Sequence, residues 1–170
     1  MKEEYNYQEL FLKLKAMKFS GMAEELERQS AEPNTELLSF EQRIEKLIDA
    51  EWQLRYSKKF SRFLKKATLR YPDASFDETI YDPQRSLDTE TINRLSECEW
   101  ISEGRNLLIT GNAGTGKSYL ACALSICALR QFKSVRYAKT SSMIYELESA
   151  EYSASNEPLI PLLRATLSGN

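Results

Sequence analysis

Leu10, Phe11, Leu14 and Met17 recur at helical spacing among charged residues and predict a helix over roughly 6–18. Ser20-Gly21 interrupts the pattern, and a second short helix is expected from Met22 to Gln29, ending near Pro33. Ser39-Phe40-Glu41-Gln42 then reads as a capping box, in which the Ser39 hydroxyl reaches the third helical amide and Gln42 reaches back. From Phe40 to about Arg70, an apolar stripe runs through Ile44, Leu47, Ile48, Trp52, Tyr56, Phe60, Phe63, Leu64 and Ala67. Tyr71-Pro72-Asp73 ends it, because proline cannot continue a helix and restricts the residue before it.

Beyond Asp73 the pattern weakens. Phe76, Ile80 and Tyr81 sit among acidic residues and suggest an extended linker, and Ser86 to Trp100 can form a helix with Leu87, Ile92, Leu95 and Cys98 facing inward. The period then changes. Asn106-Leu107-Leu108-Ile109-Thr110 is a short apolar run between Gly104-Arg105 and Gly111, the pattern of a buried strand. A helix is expected from Ser118 to about Phe132, a second strand at Val135–Ala138, and a helix capped by Ser141/Ser142 through Met143, Ile144 and Leu147. Ser149 to Asn156 reads as polar loop and Pro161 to Leu167 as a last helical turn or two. Strand, helix, strand, helix opens a parallel α/β domain. The predicted organisation is a helical N-terminal domain over 1–72, a linker and helix over 73–104, and part of an α/β core over 105–170.

Composition narrows the chemistry. The 170 residues contain no histidine, which removes His-based acid/base catalysis, Ser-His and Cys-His dyads and His-containing zinc sites. Cys98, Cys122 and Cys127 are odd in number and lack CxxC spacing, which argues against a disulfide framework or a zinc site; small core residues are expected at Cys122 and Cys127, and core anchors at Trp52 and Trp100. The net charge of -2 creates no global field for a nucleic acid or membrane, yet residues 1–72 hold 14 Lys+Arg against 12 Asp+Glu and the remainder is acidic. No apolar run approaches a membrane span, and MKEEYNYQEL is too charged for a secretory signal, so a cytoplasmic location is expected.

The chemistry concentrates at Gly111-Asn112-Ala113-Gly114-Thr115-Gly116-Lys117-Ser118, a G-x-x-x-x-G-K-S phosphate loop between a predicted strand and a predicted helix. Glycines let the backbone curl around an anion, and loop amides and the helix N-terminus face the phosphates. Lys117 is expected to bridge β- and γ-phosphate oxygens and the Ser118 hydroxyl to ligate Mg²⁺. Hydrolysis also needs an acidic residue closing another strand, and none of Glu146, Glu148, Glu151 and Glu157 follows an apolar strand run. ATP binding is therefore expected ahead of hydrolysis, and no catalytic residue is identified.

Arg55, Lys58, Lys59, Arg62, Lys65, Lys66 and Arg70 fall on one helical face, opposite Tyr56, Phe60, Phe63, Leu64 and Ala67. That face suits a duplex-DNA backbone bound without sequence preference. It equally suits a solvated surface whose cations complement the helix C-terminus.

The chain resembles the IstB-like transposition helper proteins, AAA+ ATPases related to DnaC-type helicase loaders. The resemblance rests on Leu14-Lys15-Ala16-Met17-Lys18, Gly21-Met22-Ala23-Glu24-Glu25-Leu26-Glu27-Arg28-Gln29, Leu38-Ser39-Phe40-Glu41-Gln42-Arg43 and Ala50-Glu51-Trp52. It continues through Gln84-Arg85-Ser86-Leu87-Asp88, Glu99-Trp100-Ile101 and the run into the phosphate loop. It implies an AAA+ core behind a helical domain, ATP-dependent oligomerisation on duplex DNA, and an IstA-like transposase as partner. Family members continue from a segment like Leu162-Leu163-Arg164 into the acidic Walker B strand, a sensor residue, an arginine finger and a lid. None of these follows here, so a cut-short chain is expected, with unpaired strand edges and a poorly folded second half. Two other readings stay open: a DnaC-like helicase loader acting through 1–72, and a non-catalytic fragment that binds DNA or protein.

Overall fold

The computed structural model describes residues 7–77 and 88–152. Seven α-helices are present among them: α1 (Tyr7–Ala16), α2 (Ser20–Ala31), α3 (Phe40–Ala67), α4 (Thr89–Ser96), α5 (Glu99–Ser102), α6 (Lys117–Arg130) and α7 (Thr140–Tyr152), with a 3-10 segment at Pro33–Leu37. The chain divides into two compact units, Met1–Lys59 and Phe60–Asn170, so the boundary falls within α3.

In the first unit, α1 stops at a left-handed Lys18 (φ 63°). The Lys18 amide donates to Lys15 O and the Phe19 amide to Leu14 O, which satisfies carbonyls that the helix end would orphan. Ser20 and Gly21 therefore belong to α2, not to the interruption expected from the sequence. The capping box forms: the Ser39 amide donates to Gln42 Oε1 (3.0 Å) and the Gln42 amide to Ser39 Oγ (3.3 Å).

Contacts of α2 with α3 run antiparallel, Gly21 lying at Ala50–Glu51 and Gln29 at Arg43. A Cβ on Gly21 would lie 2.6 Å from Ala50 O and 2.7 Å from Glu51 Cα, so only glycine permits this backbone approach. Glu51 closes the junction. Its Oε2 accepts from the Gly21 amide (2.8 Å) and the Met22 amide (3.3 Å), and its Oε1 accepts from Arg55 Nε (2.6 Å). Burial pushes the Glu51 carboxyl up, but the Arg55 guanidinium and the two amides hold it below the ordinary carboxylate value. Glu25 repeats the device: burial raises it, and Gln29 and Arg28 more than reverse the shift.

This packing decides which part of the α3 stripe is covered. Arg43, Leu47, Ala50, Glu51 and Leu54 are at least half-buried, whereas Phe40, Ile44, Ile48 and Trp52 are exposed. Trp52, expected as a core anchor, is 68% exposed. The polar Gly21–Glu51 junction occupies the contact in its place.

In the second unit, α3 continues from Phe60 to Ala67 and ends at a left-handed Thr68 (φ 50°), short of the expected Arg70. Ala67, Cys98, Ala128, Leu129 and Val135 form one core cluster, flanked by Phe60, Phe63 and Leu64; Ala74, Cys122, Ala123 and Ile126 form another. Helix α6 supplies residues to both, and Ala121 to Ile126 are all buried. Small side chains here admit close neighbours, and the Ser125 hydroxyl is satisfied by Ala121 O (2.8 Å). The α6 C-terminus turns at a left-handed Phe132 (φ 57°), the Lys133 amide donating to Ala128 O and the Phe132 amide to Leu129 O. No glycine marks this stop; the Phe132 ring meets Phe63 edge-on at 6.1 Å.

The expected helix over Ser86–Trp100 is two helices, α4 and α5, separated by a left-handed Cys98 (φ 58°). Asp88 caps α4 through the Glu90 and Thr91 amides. Ser141 and Ser142 lie inside α7, which starts at Thr140 and runs on to Tyr152, past the expected polar loop start at Ser149. Ile80, Tyr81, Gln84 to Leu87, and the expected helical turn at Pro161 to Leu167 lie outside the described residues.

No strand is present among the described residues. Asn106–Thr110 and Val135–Ala138, expected as strands, are non-helical segments without a ladder among the described residues. Hydrogen-bonded strands need neighbours, and neither segment has the other beside it as one. Asn106, Leu108 and Thr110 are exposed while Leu107 and Ile109 are half-buried. Val135 is buried, and the next segment is tied instead to the end of α3: the Tyr137 amide donates to Ala67 O (2.8 Å) and Thr68 Oγ1 to Tyr137 O (3.2 Å). Arg136 also pairs with Glu146 of α7.

Candidate functional site

All eight residues of the glycine motif lie together at the start of α6. Gly111 (φ 149°), Gly114 (φ 78°) and Gly116 (φ 85°) take backbone conformations that side chains disfavour, and they curl the loop before the first helical turn. A Cβ on Gly111 would lie 3.4 Å from Thr115 Oγ1 and 3.8 Å from Lys117 Cδ, inside the curl. The curl is braced by side chains. Lys117 Nζ donates to Gly111 O and Asn112 O, both at 2.7 Å, and Thr115 Oγ1 donates to Asn112 O at 2.9 Å.

Gly116 caps α6, its carbonyl accepting from the Leu120 amide at 2.9 Å. The amides of a first helical turn have no intrahelical acceptor, and the helix dipole makes them attractive to anions. Residues 111–116, including Asn112 and Ala113, are exposed, while Lys117 and Ser118 are half-buried. The Lys117 ammonium has three donors, of which two are used on loop carbonyls.

Tyr119, one residue further, is a contact the sequence reading missed. Its hydroxyl accepts from the Ser75 amide (3.1 Å) and donates to Ser75 O (3.3 Å), and its ring lies 5.8 Å from that of Tyr71. Ser75 Oγ accepts from the Asp77 amide (3.2 Å) and donates to Asp77 Oδ2 (2.9 Å). The linker at 71–77 is thereby fastened to the same helical turn that carries Lys117 and Ser118. An aromatic residue with a polar tip directly after the motif was the available signal.

The basic residues do not stand as one set. Arg55 is committed to Glu51 and to Lys18 O (3.4 Å), its guanidinium 5.1 Å from the Phe19 ring. Lys58, Lys59, Arg62, Lys65 and Lys66 are exposed along α3. Arg70 lies beyond the helix end, 5.3 Å from the Tyr71 ring. Cys98 and Cys122 are fully buried and Cys127 half-buried; burial pushes the Cys98 thiol up to about 11. No group of three or more His, Cys, Asp or Glu that could hold a metal occurs among the described residues, and no described helix is long and apolar enough to cross a membrane.

A glycine loop that curls into a helix opening on Lys-Ser places the chain in the P-loop class. The profile of the IstB-like ATP binding proteins matches residues 12–164, and the chain belongs to that family. It is similar to an ATP-binding protein of insertion sequence IS1162 from Pseudomonas fluorescens, 36% identical over 81% of this chain and 59% of that protein. An insertion-sequence ATP-binding protein of Sinorhizobium fredii is 34% identical over 81% of this chain and 56% of its own length. An ATP-binding protein in an insertion sequence of Mycobacterium tuberculosis is 28% identical over 79% and 53%. The chain thus spans somewhat over half the length of these relatives.

Proposed function

We propose that this chain binds ATP with Mg²⁺ and serves as an ATP-dependent accessory of DNA transposition. The observation that carries the nucleotide reading is the braced glycine curl at the α6 N-terminus with Lys117 held over it. In this reading the amides of residues 113–118 take the phosphates, Lys117 turns its ammonium from the loop carbonyls toward β- and γ-oxygens, and Ser118 offers Mg²⁺ its hydroxyl. One protein hydroxyl is a sufficient donor set, because Mg²⁺ keeps waters and takes its other ligands from phosphate oxygens. In this reading the runs 106–110 and 135–138 take part in a parallel AAA+ sheet. Titration of the folded chain with Mg-ATP tests the site: saturable heat that Lys117→Ala shifts to weaker affinity supports it, and no heat from either protein sinks it.

Transposition, duplex DNA, a transposase partner and self-association into an AAA+ oligomer rest on family membership and on the names of the insertion-sequence relatives. For DNA, exposed cations on α3 supply the support. Arg55 is the weakest member, since Glu51 already neutralises it. Replacing Lys58, Arg62, Lys65 and Lys66 by Gln should reduce the slope of log affinity against log salt by about 3–4, from ~0.9 per phosphate contact. An unchanged slope removes this helix from the DNA site.

A further inference from the structure

The α2–α3 packing leaves an apolar row on α3 that is exposed among the described residues. Phe40 (74% exposed), Ile44 (37%), Ile48 (50%) and Trp52 (68%) recur every four residues and make one ridge about 18 Å long at 1.5 Å per residue. Beside the ridge runs an acidic row, Glu41, Glu45 and Asp49, also four apart, and a shallow groove is lined by both rows. A contiguous exposed apolar patch with a polar rim marks an interaction surface.

The rim selects the occupant. Nucleic acid and anionic lipid are repelled by three carboxylates in a line. An antiparallel second copy of the face is disfavoured: pairing about a two-fold sets the two acidic rows on the same side of the contact, carboxylate against carboxylate. The basic half of α3 cannot serve in trans, because its apolar side, Phe60 and Phe63, is packed in the second unit's core. Residues 153–170 carry one acid and one base, too few to answer the rim. We infer that this face docks a basic amphipathic helix of a partner protein, with apolar residues four apart entering the groove and Lys or Arg alongside meeting Glu41, Glu45 and Asp49.

The test uses the full chain without nucleotide, so its outcome is separate from that of the ATP site. Two fluorescein-labelled 18-residue helical peptides share Leu at i, i+4, i+8 and i+11 and carry either Lys or Glu in the adjacent row. Fluorescence anisotropy should show saturable binding of the Lys peptide that weakens with salt, and none of the Glu peptide. Ile44→Asp with Ile48→Asp should cost at least tenfold in affinity with helical circular dichroism unchanged. Reversing the rim by Glu41→Lys, Glu45→Lys and Asp49→Lys should transfer preference to the Glu peptide, and Lys117→Ala should change neither. Equal binding of both peptides, binding of neither, or rim reversal without a switch overturns the inference. So does a dimer in sedimentation that the Ile double variant dissolves, which would make the face a self-interface.

Discussion

The two units solve the same problem, unsatisfied backbone at helix ends and segment edges, by different means. In the first, the amides that open α2 are met by one buried carboxylate from a neighbouring helix, and the carbonyls that close α1 by a local turn. In the second, the amides that open α6 sit behind an exposed glycine loop, and the segments on either side of the helix have no ladder. A helix start closed by Glu51 is structural. One kept open behind three glycines is suited to a ligand. The lesson is that helix N-termini of similar electrostatics differ in function according to whether the protein supplies the anion itself.

That contrast breaks first at Lys117. Lys117→Ala should weaken Mg-ATP binding by about 10–100-fold, the worth of a charge-assisted contact, while leaving the unfolding midpoint nearly unchanged. Calorimetric titration and a urea melt on the same sample would show whether the loop is functional and not a fold determinant. A large stability loss would make the second unit resemble the first.

Gly21→Ala should destabilise the first unit by about 1–3 kcal/mol, because the new Cβ meets main-chain atoms that cannot move aside. Trp52 lies in the first unit and Trp100 in the second, so single-tryptophan chains made by Trp100→Phe or Trp52→Phe report the two unfolding events separately. The loss should be confined to the Trp52 signal.

Glu51→Gln should cost the same unit about 1–2 kcal/mol, since a neutral amide accepts more weakly from Arg55 and the two backbone amides. The pH dependence has the same origin. Glu51 and Glu25 have folded-state pKa values below their unfolded ones, so their contribution is complete above the unfolded value near ~4.3 and falls away as pH drops through the folded values. Acid unfolding followed at Trp52 should lose Glu51's share of this pH-dependent component in Glu51→Gln and keep the share of Glu25.

The smallest effect is expected at Tyr119→Phe, which keeps the ring against Tyr71 and removes both hydrogen bonds to Ser75. About 1 kcal/mol of second-unit stability should go, read from Trp100. A drop in Mg-ATP affinity in the same variant would add the 71–77 linker to the nucleotide site.

Local signals in the sequence were sufficient wherever a structural feature is built from neighbours in the chain. The Ser39–Gln42 box, the long α3 and the glycine motif ahead of α6 all depend on spacing within one or two turns, and the family followed from residues in the same stretches. What required the tertiary structure was every choice between equivalent faces. Periodicity marks Trp52 and Leu47 alike as apolar, yet Gly21 meeting Ala50 buries one side of α3 and leaves the other to solvent. Arg55 reads like Lys58 until Glu51, four residues earlier and facing α2, claims it. The stops at Lys18 and Phe132 use left-handed residues that carry side chains, held by contacts such as Phe132 on Phe63. The same limit applies to the apolar runs at 106–110 and 135–138. Their composition suits strands, but a strand exists only through hydrogen bonds to another segment, and a run of residues does not specify its neighbour.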